Sequence, residues 1–241
     1  MFSREKNSFR FPLPPADLRE RVGGRNDRIP LNFLATGAAL LLDIKRLLKR
    51  KTGRHFDTFR NALDFGCGCG RVAIWVPKES GLKVTGVDVD AEAIRWCQAN
   101  LGSVGTFTKV EPMPPLPFEN ETFDLIYAIS VFSHLPEEME HSWLAELARV
   151  LQPGGILLAS FHTEEYFPAG EGTEERKEFE SRGFCYTRGE PTPGLPDYYQ
   201  TSFHRESYVQ QHWSRWYSIL AVEAEAINHH QGVAVCERLA K

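Results

Sequence analysis

The sequence predicts an α/β protein, a three-layer sandwich in which a seven-stranded, mostly parallel, twisted sheet lies between two layers of helices. In the middle of the chain, short apolar runs typical of strands alternate with segments that have helical spacing of apolar residues, an alternation that builds parallel sheets. A glycine-rich loop directly follows the first of these strands. The strands are predicted at residues 61–65, 84–88, 104–110, 123–129 and 156–161, with two more at about 217–223 and 233–239.

The first 55 residues are predicted to precede this domain as an extension and a helix. Residues 1–30 contain Pro12, Pro14 and Pro15 and mixed charges, and they predict at most one short helix, at 17–22. Residues 31–51 have a broad apolar face at helical spacing and a basic end. No aromatic residue interleaves with those cations, so they are expected to be a solvated helix terminus rather than a nucleic-acid patch. Residues 56–241 are predicted to form the main domain.

Composition indicates a soluble protein of one large domain. The 241 residues are 42% apolar and 25% charged, which is ordinary for a globular chain, and the net charge of −4 gives no general attraction to nucleic acid or anionic membrane. No apolar stretch is long enough to span a bilayer, and no signal-peptide core follows the N-terminus. Five cysteines without a paired framework suit a reducing compartment. We therefore expect a cytoplasmic location and neither nucleic acid nor membrane as a partner.

The helices between the strands have recognisable ends. A helix is expected at about 69–79, kinked or ended by Pro77, and Asp90 is expected to cap a helix over 91–101. Pro136 is expected to open a helix that stops at residues 153–155, and a late helix is predicted at 206–213.

The loop Asp64-Phe65-Gly66-Cys67-Gly68-Cys69-Gly70-Arg71 carries the strongest functional signal. Alternate glycines between a strand and a helix let the backbone turn tightly and let a ligand approach where a Cβ would block it. A nicotinamide-dinucleotide fingerprint would need its third glycine at position 71, which is Arg71. The pattern here is instead D-x-G-x-G-x-G.

Asp88 is the second functional signal because it ends the strand that follows the glycine loop. A carboxylate at that place can accept both hydroxyls of a ribose, since its two oxygens match a vicinal diol. A solvated acid at a strand end is the alternative. Asp90 competes for the same role, but its position is better explained as a helix cap.

Three further stretches carry a family resemblance: Pro115–Phe118 followed by Phe123–Ile126, then Ile129–Leu135, then Leu147–Gly155. Together with the glycine loop they resemble the class I S-adenosylmethionine-dependent methyltransferases that act on small molecules, over roughly residues 56–162. The resemblance implies a Rossmann-like methyltransferase fold and S-adenosylmethionine as the cofactor. Transferred position by position, it implies a cofactor site formed by Asp64, Gly66, Cys67, Gly68, Gly70, Asp88, Val89, Met113, Ile129 and Ser130.

No metal site is expected. Cys67 and Cys69 are separated by a single residue, and no second thiol or histidine pair stands at ligand spacing.

His134 is the candidate general base, because it lies just beyond the fourth strand at the edge where such sheets bind ligands. A structural role is the alternative, since an activated sulfonium methyl needs a base only if the acceptor keeps its proton. Candidate substrate contacts are His162, Tyr198, Tyr199 and His204.

Residues 163–202 break the alternation of strands and helices and are predicted to be an insert that closes over the acceptor. They are rich in glutamate, glycine and proline, and they are longer than most connections in a compact domain. Their aromatic residues could pack over a ligand, and we expect this segment to be the most mobile part of the ligand-free domain.

The function predicted from these features is methyl transfer to an oxygen or nitrogen of a small metabolite, such as a sugar or natural product. Nucleic-acid amino-methylation is disfavoured, because its N/D-P-P-Y-type signature is replaced by Ala128-Ile129-Ser130-Val131. A protein that binds the cofactor without catalysis, as a sensor or scaffold, is the alternative. The sequence predicts no particular oligomeric state.

Overall fold

The computed structural model describes residues 12–76, 81–168, 170–189, 192, 194–227 and 230–240. The helices in these residues are α1 (Ala16–Gly23), α2 (Pro30–Thr52), α3 (Ala91–Asn100), α4 (Glu137–Val150), α5 (Glu174–Arg182) and α6 (Glu206–Trp213). The strands are β1 (Asn61–Phe65), β2 (Lys83–Asp88), β3 (Gly105–Lys109), β4 (Phe123–Ala128), β5 (Leu151–Thr163), β6 (Phe184–Thr187), β7 (Thr201–His204), β8 (Tyr217–Ile227) and β9 (Gln231–Arg238). None of the helices in the described ranges is both long and apolar enough to cross a membrane.

Seven of the strands form the predicted sheet, in the order β3-β2-β1-β4-β5-β9-β8. The first five are parallel, whereas β9 is antiparallel to β5 and β8 is antiparallel to β9. Asp64 in β1 is in register with Gly86 in β2 and Tyr127 in β4. The carboxyl ends of β1, β2 and β4 therefore meet at one edge of the sheet, where parallel sheets bind ligands.

Helices cover both faces of the sheet, which confirms the three-layer architecture. Alternate residues along each strand point to opposite faces. Ala62 and Leu125 belong to the core that contains α2 and α3, whereas Leu63 and Ile126 belong to the core that contains α4 and α6. The basic end of α2 is engaged within the chain, since Arg50 and Lys51 both pair with Glu223 of β8.

The prediction of a helix at about 69–79 is wrong for the described residues of that range. Only a 3-10 turn forms there, at Ala73–Trp75, and Val76 is extended, with φ −68° and ψ 121°. A residue before proline is disfavoured in the helical region, and β-branched residues lower helix propensity further. Pro77 itself, and the rest of the predicted helix, lie outside the described residues.

The stop of α4 also differs from the prediction. The helix ends at Val150, and β5 begins at Leu151, so the Pro153-Gly154-Gly155 run lies within the strand. Tertiary pairing explains the difference, because Leu151 is already in register with Phe123 of β4.

The insert is more structured than the sequence suggested. It contains α5, β6 and the first residues of β7, and β7 pairs in parallel with His162 and Thr163 at the end of β5. Helix α5 is almost entirely charged, but Phe179 is completely buried and stacks on Phe167 at 4.4 Å between ring centroids. These aromatic contacts attach most of the insert to the sheet edge.

Candidate functional site

A cavity of about 1000 Å³, including space open to solvent, lies at the carboxyl edge of the sheet. The glycine loop, the end of β2 and the residues after β4 form its floor, while α1 and the insert form its outer walls. The cavity brings together ten of the residues predicted for the site: Asp64, Gly66, Cys67, Gly68, Asp88, Val89, Ile129, Ser130, Tyr198 and Tyr199.

The glycine loop lies close to the strand beside it. The N–H groups of Gly66 and Cys67 both donate to the carbonyl of Val87, at 2.9 and 3.0 Å. Gly66 has a φ of +77°, and a Cβ there would overlap the side chain of Val131. Gly70, also at positive φ, is not among the residues that line the cavity. A Cβ on Gly70 would lie only 2.5 Å from Cδ1 of Leu101, the residue after α3, so glycine is needed there for packing. The loop therefore needs glycine at Gly66 for the cavity and at Gly70 for packing.

The carboxylate of Asp88 is held in place by two backbone donors. The N–H of Gly68 donates to Oδ2 at 2.7 Å, and the N–H of Asp90 donates to Oδ1 at 2.8 Å. Burial raises the pKa of Asp88 above its ordinary value, although these two hydrogen bonds oppose the rise. Each oxygen keeps a further lone pair, so the carboxylate can still accept a pair of hydroxyl groups from the cavity.

Asp90 caps α3 as the sequence predicted. Its Oδ1 accepts hydrogen bonds from the N–H groups of Glu92 and Ala93, at 2.9 and 3.1 Å.

Asp64 is a buried acid with an unused oxygen. Its side chain is 3% exposed, and its Oδ2 has no hydrogen-bond partner among the described residues. Tyr127 is the neighbouring residue across β1 and β4. Burial raises the pKa of Asp64 to about 8; the Tyr127 hydroxyl beside it opposes the rise, and Asp88 adds a smaller rise. The site can therefore receive a cationic group, because a positive charge beside Asp64 would favour the ionised carboxylate and pair with it.

Ser130 is held in a strained conformation by residues that sequence reasoning missed. Its φ is 58°, unusual for a residue with a Cβ. Its N–H donates to Oγ of Ser160 at 2.7 Å, and its hydroxyl donates to Oε1 of Gln231 at 3.0 Å. Ser160 and Gln231 are both buried, and Ser160 also donates to that oxygen, at 2.8 Å. Strands β5 and β9 thus position a residue of the cavity floor.

Sequence analysis also missed the N-terminal wall of the cavity, because no local pattern in the chain indicates that α1 packs against the site. Arg21 and Val22 line the cavity, and the Val22 side chain occupies the space that a Cβ on Gly68 would need. Arg71, which follows the glycine loop, pairs with Asp27 at 3.2 Å, and both side chains are buried. The first described residues therefore pack directly on the glycine loop.

The insert forms the opposite wall through Leu195, Tyr198 and Tyr199. The ring of Tyr199 stacks on His134, with centroids 4.0 Å apart, and Tyr186 donates to the carbonyl of Tyr198 at 2.8 Å. Burial raises the pKa of Tyr198 to about 12, so its hydroxyl is a neutral donor at physiological pH.

His134 stands behind Tyr199 rather than among the residues that line the cavity. Its Nδ1 lies 2.5 Å from the carbonyl oxygen of Gln200, so Nδ1 carries the proton because a carbonyl oxygen can only accept. Burial lowers the pKa of His134 to about 4, which leaves the ring neutral at pH 7. The structure therefore gives His134 a direct role in supporting the insert.

His162 and His204 also lie outside the cavity lining. Nε2 of His204 is 2.6 Å from Glu140, whose other oxygen accepts from Trp213 at 2.8 Å, and all three side chains are fully buried. His204 is thus a core residue that joins β7 to α4. His162 packs against the ring of Phe203 at 5.7 Å, and burial lowers its pKa to about 4.

Met113 is 45% exposed and is not part of the lining; the neighbouring Pro112 takes that place. The carbonyl of Pro112 accepts a hydrogen bond of 3.0 Å from Trp143, which fixes the loop against α4.

The described part of the chain contains no group of three or more His, Cys, Asp and Glu side chains that could hold a metal ion. All five cysteines are free, and burial raises the pKa of Cys69, in the glycine loop, to about 12. Such thiols are poor nucleophiles and poor ligands.

Comparison with known proteins shows what the central part of the chain resembles. A family model described as a methyltransferase domain matches residues 62–155, which include the glycine loop, Asp88 and Ser130. Residues 62–155 are thus similar to a methyltransferase domain. The match includes most of the cavity floor but neither of its outer walls.

Among curated relatives of this chain, an uncharacterized protein of Haemophilus influenzae is 35% identical over 107 residues, which are 43% of each chain. Methyltransferase GfsG of Streptomyces halstedii is 34% identical over 100 residues, 39% of this chain and 35% of its own. The chain thus spans less than half the length of these relatives.

The solved structures extend the likeness of fold to nearly the whole chain. The 1,6-didemethyltoxoflavin-N1-methyltransferase of Burkholderia thailandensis, solved with 1,6-didemethyltoxoflavin and S-adenosylhomocysteine, is 16% identical with a TM-score of 0.60. The alignment covers 95% of this chain and 92% of that one. At this identity the likeness supports the Rossmann-like methyltransferase fold alone.

Proposed function

We propose that this protein binds S-adenosylmethionine in the cavity and transfers its methyl group to a small-molecule acceptor. The observation that carries the proposal is the arrangement of Asp64, the glycine loop and Asp88 around one cavity, within a region similar to a methyltransferase domain. S-adenosylmethionine has a ribose on one side of its sulfonium, and an ammonium and a carboxylate on the other side. The cavity floor offers a matching group for the first two.

Each end of the proposed cofactor has a place in the cavity. Asp88, fixed by two backbone N–H groups, would accept the ribose hydroxyls, and Val89 would lie beside the adenine. The unpartnered oxygen of Asp64 would receive the ammonium group. Ile129 and Ser130 would lie along the methionine portion. The fit of an orphaned buried acid to a cation, and of a clamped carboxylate to a diol, supports this cofactor over a dinucleotide.

The cofactor supplies a sulfonium-activated methyl group, and the protein's part is to align the acceptor and exclude water. An acceptor held in line with the methyl reacts faster chiefly because its orientation is already set. The walls formed by Val22, Leu195 and Tyr199 restrict the volume on the open side of the cavity. Because His134 is outside the lining, we propose that it supports Tyr199 and contributes to catalysis only through that contact.

The acceptor is proposed to be a small metabolite that is methylated at oxygen or nitrogen, such as a sugar or natural product. Apart from Arg21, the outer walls contribute Val22, Leu195, Tyr198 and Tyr199, and Val131 and Leu135 of the floor are apolar as well. This favours an acceptor with an apolar ring and few charges. The Burkholderia neighbour, whose title names an N1-methyltransferase and a small bound compound, supports the same size class.

The proposed location is the cytoplasm, which suits five free cysteines and a metabolite-modifying enzyme. The net charge of −4 and the pairing of basic residues of α2 with Glu223 support the proposal that neither nucleic acid nor membrane is a partner.

Calorimetry with S-adenosylhomocysteine, and with NAD as the control, tests the cofactor assignment. We expect the first ligand to bind and NAD not to bind; the reverse result would overturn the proposal. Labelled S-adenosylmethionine should then be incubated with a panel of hydroxyl- and amine-bearing metabolites. Transfer of label supports the enzyme, whereas binding without transfer to any member would favour a cofactor-binding sensor or scaffold.

A further inference from the structure

Arg21 joins α1 to the start of α3 across the rim of the cavity. Its Nη1 lies 2.8 Å from Oδ2 of Asp90, and its Nη2 lies 2.8 Å from Oε2 of Glu92. The Arg21 side chain is 20% exposed, and that of Asp90 is 7% exposed. Charge-assisted hydrogen bonds at such partly buried positions are stronger than surface ion pairs.

The contact with Asp90 connects Arg21 to the proposed ribose acid. The Asp90 carboxylate uses one oxygen for Arg21 and the other to cap α3. Its backbone N–H donates to Oδ1 of Asp88. A residue of the N-terminal helix therefore holds, through Asp90, one of the two hydrogen bonds that position Asp88.

Arg21 also touches the insert on the other side of the cavity. Gly194 has a φ of +86°, and a Cβ on it would lie only 2.7 Å from Cζ of Arg21. The backbone of the insert therefore lies directly against the guanidinium group. The next residue, Leu195, lines the cavity. The side chain of Arg21, which belongs to the α1 wall, thus also contacts the wall formed by the insert.

We infer that Arg21 is a clasp that holds α1 and the 194–199 segment closed over the nucleoside half of the cavity. It is a positioning residue, because it acts on the cofactor through Asp90 and through the two walls. Release of the cofactor then requires the ion pairs of Arg21 to break. This inference rests on the proposed function, since it takes S-adenosylmethionine and its demethylated product as the ligands.

Arg28 provides a matched control. It also pairs with two carboxylates, those of Asp17 at 2.9 Å and of Glu20, and its side chain is 48% exposed. It ends the 3-10 turn Arg25–Arg28 that follows α1, and it does not line the cavity. Loss of Arg28 therefore removes a similar pair of surface interactions without touching the proposed clasp.

The test is the dissociation rate of S-adenosylhomocysteine, measured by stopped-flow displacement for the wild type, Arg21→Gln, Arg21→Lys and Arg28→Gln. We expect Arg21→Gln to release the ligand about tenfold faster with a matching rise in Kd, because the loss of one such charged contact corresponds to roughly a factor of ten. Arg21→Lys keeps the charge but loses the two-pronged guanidinium, so its dissociation rate should lie between those of the wild type and Arg21→Gln. The dissociation rate of Arg28→Gln should match that of the wild type.

Equal dissociation rates for Arg21→Gln and Arg28→Gln would overturn the clasp while leaving the proposed function intact. A wild type that binds no adenosyl ligand would overturn the proposed function and the clasp together. If Arg21→Gln does not fold, Glu92→Gln removes one of the two ion pairs at a 58% exposed side chain. That variant should release the ligand about threefold faster, and an unchanged rate would count against the clasp.

Discussion

The backbone N–H of Gly68 donates a hydrogen bond of 2.7 Å to Oδ2 of Asp88, a residue 20 positions further along the chain. This contact joins the glycine loop to the end of β2. The two sequence signals for an adenosyl ligand are therefore one structural unit, and the carboxylate is oriented before any ligand arrives. Preorientation of this kind lowers the entropic cost of binding.

Asp88→Ala should weaken the binding of S-adenosylhomocysteine by on the order of 1.5–3 kcal/mol, because it removes a charged acceptor for two hydroxyls. Calorimetry gives the change directly. Asp124→Ala is the control: Asp124 also accepts two backbone hydrogen bonds, from Arg60 and Asn61, but it lies in β4 outside the cavity lining. Equal losses of affinity in the two variants would show that Asp88 acts only through stability.

Asp64→Asn should make the protein more stable at neutral pH and less able to bind the cofactor. In the unfolded chain Asp64 ionises near pH 3.8, whereas burial keeps it protonated in the folded protein up to about pH 8. The unfolded state then binds fewer protons, so stability falls as pH rises between these values. The asparagine variant escapes that fall and should gain on the order of 5 kcal/mol at pH 7.5, since each pH unit between the two pKa values is worth about 1.36 kcal/mol.

Urea unfolding at pH 4.5 and pH 7.5 checks this prediction. The advantage of Asp64→Asn over the wild type should shrink strongly at pH 4.5, because that pH lies less than one unit above the unfolded-state pKa of 3.8 and little stability has yet been lost. The exposed Asp57 serves as control, and Asp57→Asn should leave the difference between the two pH values unchanged. A gain that is the same at both pH values would contradict the assignment of a neutral Asp64.

His204→Ala should destabilise the fold by on the order of 1–3 kcal/mol, because the buried Glu140 carboxyl group would lose one of its hydrogen-bond partners. Thermal or urea unfolding measures the loss. His55→Ala, at an exposed position before β1, should cost less than about 0.5 kcal/mol. If His204→Ala is as stable as the wild type but fails to bind or methylate an acceptor, the substrate contact first predicted from the sequence would be correct.

Binding of S-adenosylhomocysteine should slow amide exchange in residues 194–200 more than in α5 (Glu174–Arg182). The first segment contributes Leu195, Tyr198 and Tyr199 to the cavity, whereas α5 is attached by Phe179 and has no residue in the lining. Exchange followed by mass spectrometry compares the two segments in one sample, so α5 is an internal control. Equal protection of both, or of neither, would argue against a closing role for residues 194–200.

The sequence by itself determined the parts of the protein whose physical cause is local. Short apolar runs predicted the seven main strands, and helical spacing of apolar residues predicted α2. A side chain two to three residues from its donors predicted the Asp90 cap. The glycine loop and Asp88 belong to the same class, because backbone freedom at Gly66 and the end of an apolar strand are visible in neighbouring residues. The incorrect prediction of a helix at about 69–79 also has a local cause, because Pro77, which disfavours a helix in the preceding residues, is visible in the sequence.

Only the tertiary structure decided which distant residues complete the cavity. Arg21 contacts Asp90, 69 positions away, and Ser130 contacts Gln231, 101 positions away. His204 is held in the core, outside the cavity lining, by Glu140, 64 positions away. Neither residue of such a pair carries a local pattern that indicates the other, because the contact exists only after the helices and strands have packed. The residues of the cavity floor could therefore be predicted from the sequence. The residues of the outer walls, and the burial of His134, His162 and His204 outside the cavity, follow from tertiary packing.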